Sequence, residues 1–269
     1  MSILACHHIT PHWIWGINCL KPAQFRRFLQ AALHSGVRFL TLSEYIADCG
    51  QKDHPRVALT FDDGYSSVET WALPVCRELG VRATVFVLPL FAGALNTWDV
   101  NWMGQRIRHL DWQQINQLVQ AGWEIGAHGL THQDLSRLDA AECERELRLS
   151  RQLIEARTGT RVTSLAFPFG NASTTAAERA RAAGYENAVV LSRTGGNGSE
   201  RMTLPRIGVY SFDPAAVFVQ KCLGKNQVFY HFIQGCIDIC SDGTVVVKQL
   251  LPGMRQKVKR SGPGILKRS

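Results

Sequence analysis

The stretch Leu118-Val119-Gln120-Ala121-Gly122-Trp123-Glu124-Ile125-Gly126-Ala127-His128 packs the end of a helix, a stop, a strand and an imidazole into one short run. Asp111–Gln120 reads as an amphipathic helix, Gly122 stands where that helix must end, and Glu124–Ala127 reads as a short buried strand. The same order recurs along the chain. Strand candidates are Ile3–Cys6, Arg38–Leu40, Arg56–Thr60, Ala83–Val87, Ser164–Phe167, Asn187–Leu191 and Arg206–Val209. Helix candidates are Pro22–Ser35, Ser43–Asp48, Ser67–Leu79, Asp139–Arg157 and Thr174–Ala183. Gly36, Gly80, Gly159 and Gly184 mark further stops, and Asp139 with Glu142 resembles a capping box. Helix, glycine, then strand, repeated seven or eight times, predicts an α/β fold. So many units favour a distorted (β/α) barrel of about seven parallel strands over an open sheet.

In such barrels the chemistry sits at the C-terminal ends of the strands. Two motifs fall there. Thr60-Phe61-Asp62-Asp63-Gly64-Tyr65 places two adjacent carboxylates after an apolar run, and His128-Gly129-Leu130-Thr131-His132 places two imidazoles four residues apart. Asp and His together suit a divalent metal, and the neighbouring carboxylate suits a base that takes a proton from water. Either motif alone is an ordinary turn or a pair of surface histidines. Their joint position at strand ends, with the Phe167-Pro168-Phe169-Gly170 turn, points to a metal-dependent hydrolase.

Composition is that of a globular enzyme: 269 residues, 45% hydrophobic and 19% charged. Eight scattered cysteines without a Cys-x-x-Cys pair read as reduced packing residues. Cys236 and Cys240 are spaced so that they could share a helix face and bind metal, the less favoured alternative. The net charge of +8 is concentrated at the end, where Lys248, Arg255, Lys257, Lys259, Arg260, Lys267 and Arg268 follow the last acidic residue, Asp242. That tail reads first as solvated, and second as a contact for anionic lipid headgroups or a phosphorylated carrier. It lacks aromatic interleaving, so nucleic acid is not expected. Gly195-Gly196-Asn197-Gly198 has no following Lys-Ser/Thr and reads as a flexible loop, not a phosphate cradle.

These motifs resemble the polysaccharide deacetylases, which share the NodB homology domain (carbohydrate esterase family 4), over about residues 3–209. The resemblance implies a NodB-type, TIM-like barrel at 1–213 and a C-terminal extension with the basic tail at 214–269. It implies Asp62 as catalytic base and Asp63, His128 and His132 as metal ligands. Ala166-Phe167-Pro168-Phe169-Gly170 resembles the family's third motif, and places Pro168, Phe169, Tyr65 and Arg206 on the substrate or oxyanion side. Ala166 stands where many relatives carry an arginine that orients the base; Arg206 or Arg193 compensates, or the base is held differently. The late Leu-x-His motif is not visible. The opening Ile3-Leu4-Ala5-Cys6-His7-His8-Ile9 is similar to the start of circularly shifted members, which makes His7 the candidate general acid and His8 its understudy. Cys6 as a nucleophile has no partner arrangement behind it.

The implied reaction is removal of acetyl, N-acetyl by family precedent, from an amino-sugar glycan, with Zn2+ as cofactor and Co2+, Ni2+ or Mn2+ compatible with the same ligands. No secretion signal is visible at Met1–His8. A cytoplasmic protein, peripheral at the inner membrane face, is therefore expected, with an acetylated glycan or a lipid-linked glycan precursor as its partner. Two rivals remain: a non-catalytic glycan-binding or assembly protein on the same barrel, and a metal-dependent amidase for a non-sugar amide.

Overall fold

The computed structural model describes residues 2–14, 16–48, 54–97, 107–191, 201–230 and 233. Arg193, the 195–198 loop, Cys236, Cys240 and the basic tail lie outside the described residues.

The barrel is built from parallel strands. Along the hydrogen-bonded path they run β10 (Leu204–Pro205), β9 (Asn187–Val190), β8 (Ser164–Ala166), β7 (Glu124–Ala127), β6 (Thr84–Val87), β5 (Arg56–Phe61), β1 (Ser2–Cys6) and β11 (Ile207–Gly208). A further short strand, β4 (Arg38–Leu40), pairs with the first half of β5. The two ends of this path are neighbours in the chain. β10 pairs with β9, β11 pairs with β1, and only Arg206 lies between them. The sheet therefore curls until its edges are joined by one continuous stretch, which removes the exposed edges of an open sheet. Counting 204–208 as one stave, the described residues form seven, in line with the expected barrel.

Alternation along each strand sorts side chains into two layers. Leu4, Val57, Leu59, Val85, Ile125, Leu165 and Val190 point outward and bury themselves under the helices. Ile3, Ala58, Phe86, Ala166 and Val189 point inward, with Leu42 of helix α2 (Leu42–Ala47) packed against them at the lower end. The Phe86 ring takes up so much of the interior that β7 must carry a glycine beside it. A Cβ at Gly126 would stand 2.5 Å from two Phe86 ring carbons and 3.0 Å from the Ser164 carbonyl oxygen. Gly126→Ala is therefore expected to cost about 1–3 kcal/mol of stability through overpacking. Urea unfolding checks this, and an unchanged midpoint would contradict it.

The outer helices follow the expected segments: α1 (Pro22–His34), α4 (Trp112–Gln120), α5 (Ala140–Thr158) and α6 (Thr174–Ala182). Gly159 ends α5 at φ 67°. Asp139 accepts from the Glu142 N–H, and complete reciprocal capping boxes form at Thr41/Glu44 and Asp111/Gln114. The expected helix Ser67–Leu79 divides into a π-helical turn, Val68–Ala72, and α3 (Leu73–Glu78). Pro74 supplies the reason: it has no N–H for the ladder, and Leu73 bonds back to the Val68 carbonyl.

Two features were not expected. A two-stranded parallel pair, β2 (His8–Ile9) with β3 (Cys19–Leu20), closes the loop after β1. Helix α7 (Ala215–Cys222) belongs to the barrel's outer layer: Phe218 stacks on Phe28 of α1 at 4.8 Å. Lys221 donates to Asp213 at 2.6 Å and to the Gly208 carbonyl at 2.9 Å. The packed unit thus continues past the expected boundary at 213, because α7 covers apolar surface on α1 that would otherwise face water. Beyond Gly208 the described residues contain no strand, and α7 is the named element there. The described cysteines Cys6, Cys19, Cys76, Cys143 and Cys222 are all free thiols. Burial pushes the Cys6 thiol far up, which makes it inert as a nucleophile.

Candidate active site

Asp62 and Asp63 follow β5, His128 follows β7, and Phe167–Gly170 follows β8, so the sheet brings all three segments to one rim. Asp63 Oδ1 lies 3.4 Å from His128 Nε2 and 3.4 Å from His132 Nε2. Candidate ligand atoms of these three residues all fall within 4.8 Å of one another, and all three residues are buried. A separation of 3.4 Å is long for a charged hydrogen bond. It is about the distance between two ligand atoms that each sit roughly 2.1 Å from a tetrahedral centre.

The tautomer of His128 is fixed by its surroundings. Its Nδ1 lies 2.8 Å from the Ala166 carbonyl oxygen, which can only accept. Nδ1 therefore carries the proton, and in the neutral ring Nε2 offers its lone pair toward Asp63. Burial alone would lower the His128 pKa, but the carboxylates of Asp63 and Asp62 outweigh it and hold the ring above its ordinary value. Burial would likewise raise Asp63, yet the two imidazoles hold it well below the usual carboxylate range. The donor set and its charge fit a divalent cation.

Asp62 is turned the other way, into the barrel. Arg206, fully buried, grips it with two parallel bonds, Nη1 to Oδ1 at 2.6 Å and Nη2 to Oδ2 at 2.7 Å. Nη1 also donates to Thr60 Oγ1 at 3.0 Å, and the guanidinium lies 5.6 Å from the centre of the Phe86 ring. Burial raises the Asp62 carboxyl, but Arg206 and then His128 more than offset it, so Asp62 stays below its ordinary value. Ala166, inward-facing on β8, shares a cluster with Phe86. The arginine expected near position 166 thus enters from the 204–208 stave instead. This places Arg206 behind Asp62, with none of its surface open to a substrate, rather than on the expected substrate side.

Three of the four described non-glycine residues with positive φ belong to this site: Asp63 (65°), His132 (59°) and Phe169 (59°). Each such conformation costs on the order of 1 kcal/mol and persists where the surroundings impose it. Gly64 continues the turn at φ 59°, where a Cβ would stand 3.0 Å from Val87 Cγ1. Phe169 is 41% exposed and sets its ring against the edge of His132 at 4.7 Å, while Pro168 is buried beneath it. His7 lies close enough for its charge to lower the Asp62 carboxyl.

His8 and Tyr65 occupy the layer below. The His8 ring stacks on Tyr65 at 3.8 Å with Nδ1 3.3 Å from Ser67 Oγ, and burial lowers its pKa to about 3. Tyr65 is 3% exposed and its hydroxyl accepts from Asn96 at 3.0 Å, which places it under the site rather than in the groove. His109, which no sequence motif marked, stacks against Tyr65 and donates from Nδ1 to the Asp63 carbonyl at 2.8 Å. Its segment, Ile107–Leu110, has no spacing that distinguishes it from an ordinary loop.

A family model described as polysaccharide deacetylase matches residues 50–188, more than half of the sequence. The chain belongs to the polysaccharide deacetylase family. Asp62, Asp63, His128, His132 and Phe169 lie inside the matched region, while His7 and Arg206 lie outside it. The putative polysaccharide deacetylase YxkH of Bacillus subtilis (strain 168) is 26% identical over 133 residues, 49% of this chain and 43% of that protein. A bifunctional xylanase/deacetylase of Pseudobutyrivibrio xylanivorans is 25% identical over 42% of this chain and 16% of its own length. The chain thus matches less than half the length of these curated relatives. Among solved structures, the Streptococcus pyogenes deacetylase PplD in complex with acetate superposes with a TM-score of 0.71 at 20% identity, covering 82% of this chain and 97% of that one. IcaB from Ammonifex degensii gives 0.66 at 20% identity, covering 82% and 96%. These likenesses show the shared fold.

Proposed function

We propose that this protein is a metal-dependent hydrolase that removes N-acetyl groups from an amino-sugar glycan or its precursor and releases acetate. The observation that carries the reading is the division of labour between adjacent carboxylates. Asp63 faces two histidines, and Asp62 is held apart by Arg206 as a charged, oriented base. A pure glycan-binding barrel has no use for the second arrangement.

Asp63, His128 and His132 would hold the cation, best matched by Zn2+, with Co2+, Ni2+ or Mn2+ accepted by the same ligands. When bound, a divalent cation there supplies Lewis acidity to the acetyl carbonyl and to water. Asp62 accepts a proton as a water oxygen attacks the acetyl carbon. The Phe169 backbone N–H donates to the oxygen that gains charge, and its ring borders the groove beside His132. The carbon–nitrogen bond then breaks, His7 gives its proton to the departing amine, and acetate is left. The basic residues after Asp242 support a phosphorylated carrier or anionic membrane surface as the place where the glycan is met.

The test is acetate release from a panel: N-acetylated polymer, free oligosaccharide, lipid-linked oligosaccharide and a simple aryl acetamide. Release from the glycans is expected with zinc-loaded protein, to vanish after chelation and to return with zinc. Release from the aryl acetamide alone would favour the amidase, and no release from any substrate would favour the binding protein. Turnover of polymer without lipid-linked oligosaccharide would overturn the proposed carrier.

A further inference from the structure

The loop that carries both histidine ligands is built around a carboxylate from elsewhere in the chain. Glu146, on α5 and 5% exposed, reaches into the turn between His128 and His132. Its Oε2 accepts from the Leu130 N–H at 2.8 Å and the Thr131 N–H at 2.9 Å. Its Oε1 accepts from Thr131 Oγ1 at 2.6 Å and from Gln133 Nε2 at 3.4 Å. A carboxylate offers only acceptors, so every partner in this set donates to it. Two consecutive backbone N–H groups converging on one oxygen fix the path of the loop more tightly than a single bond does.

We infer that Glu146 is a positioning residue for the metal centre. The carboxylate stands in for the partners that the turn's buried N–H groups would otherwise lack. By holding Leu130 and Thr131 it keeps His132 in its left-handed conformation, with Nε2 aimed at the same Asp63 oxygen as His128. Glu146 touches neither the cation site nor a substrate, and acts through the loop. This inference rests on the metal-site reading above. Groups that orient first ligands change metal affinity by about 10–100-fold when altered. A glutamine at 146 keeps the shape but replaces one acceptor oxygen with an N–H donor, which opposes the donors facing it.

The measurement is zinc affinity, by competition with a chromophoric chelator, for full-length wild type, Glu146→Gln, Thr131→Val and Ser150→Ala, with the melting temperature of each zinc-free protein. Ser150 is buried on the same helix and bonds Tyr185 at 2.9 Å, so its loss loosens α5 without touching the loop. Glu146→Gln is expected to bind zinc at least 10-fold more weakly, and Thr131→Val, which loses one of the four contacts, about threefold more weakly. Ser150→Ala should bind within twofold of wild type even where its melting temperature falls. Should Glu146→Gln fail to fold, Thr131→Val decides. Wild-type affinity in the variants that fold would overturn the role of Glu146. Absence of zinc binding by the wild type would instead overturn the metal site itself.

Discussion

Asp62→Asn is expected to release acetate at about one-thousandth of the wild-type rate while binding zinc with unchanged affinity. A positioned general base contributes roughly 10²–10⁴-fold, and asparagine has the shape of aspartate without the ability to take the proton. The proposed zinc ligands are Asp63, His128 and His132, so the cation should remain. Asparagine can still accept one bond from Arg206, but the guanidinium loses its counter-charge in a barrel where it is fully buried. Some loss of thermal stability therefore accompanies the loss of rate, and acetate release at saturating zinc and substrate separates the two. Retention of more than a tenth of the wild-type rate would remove Asp62 from the reaction.

Arg206→Met should cost about 3–5 kcal/mol, because it strands the Asp62 carboxylate without its buried partner. The pH dependence should change sign with it. In the wild type the folded Asp62 pKa lies below its ordinary value, since Arg206 and His128 outweigh burial. Asp62 then contributes stability that is present above the unfolded carboxyl value and is lost as pH falls through the folded one. In Arg206→Met burial acts with its chief opponent gone, and the folded pKa rises. The destabilisation should therefore be smaller in acid and grow as pH rises through that value. The acidic limb of kcat/KM should move to higher pH in step. Urea unfolding at pH 4 and pH 7, with a pH–rate profile, checks both. A penalty that does not vary with pH would mean that Arg206 serves packing alone.

The barrel was legible because each of the strands β5–β8 is short, largely apolar and followed by a helix with its own glycine stop. Local pattern and global topology agree there. Asp62, Asp63, His128 and His132 were legible for a related reason: each pair lies within one short segment, and strand polarity brings the two pairs together. Arg206 was visible only as one of two candidate cations. Its bond to Asp62 spans 144 residues and exists because the 204–208 stave closes the ring, a fact that no local pattern carries. Glu146 was hidden for the opposite reason, since a glutamate on a helix crowded with charges of both signs resembles any solvated glutamate. Helix α7 escaped because Phe218, Lys221 and Cys222 are all buried on a helix of only eight residues, which leaves little polar face to set a period. The split of the 67–79 helix follows from Pro74, whose missing N–H a helical apolar pattern does not register.

The most direct measurement is a zinc titration of the metal-free protein, set beside a triple variant, Asp63→Ala, His128→Ala and His132→Ala, shown by circular dichroism to be folded. One equivalent bound tightly by the wild type and none by the triple variant is the result the proposed metal site predicts. Equal binding by both, or none by the wild type, would contradict it.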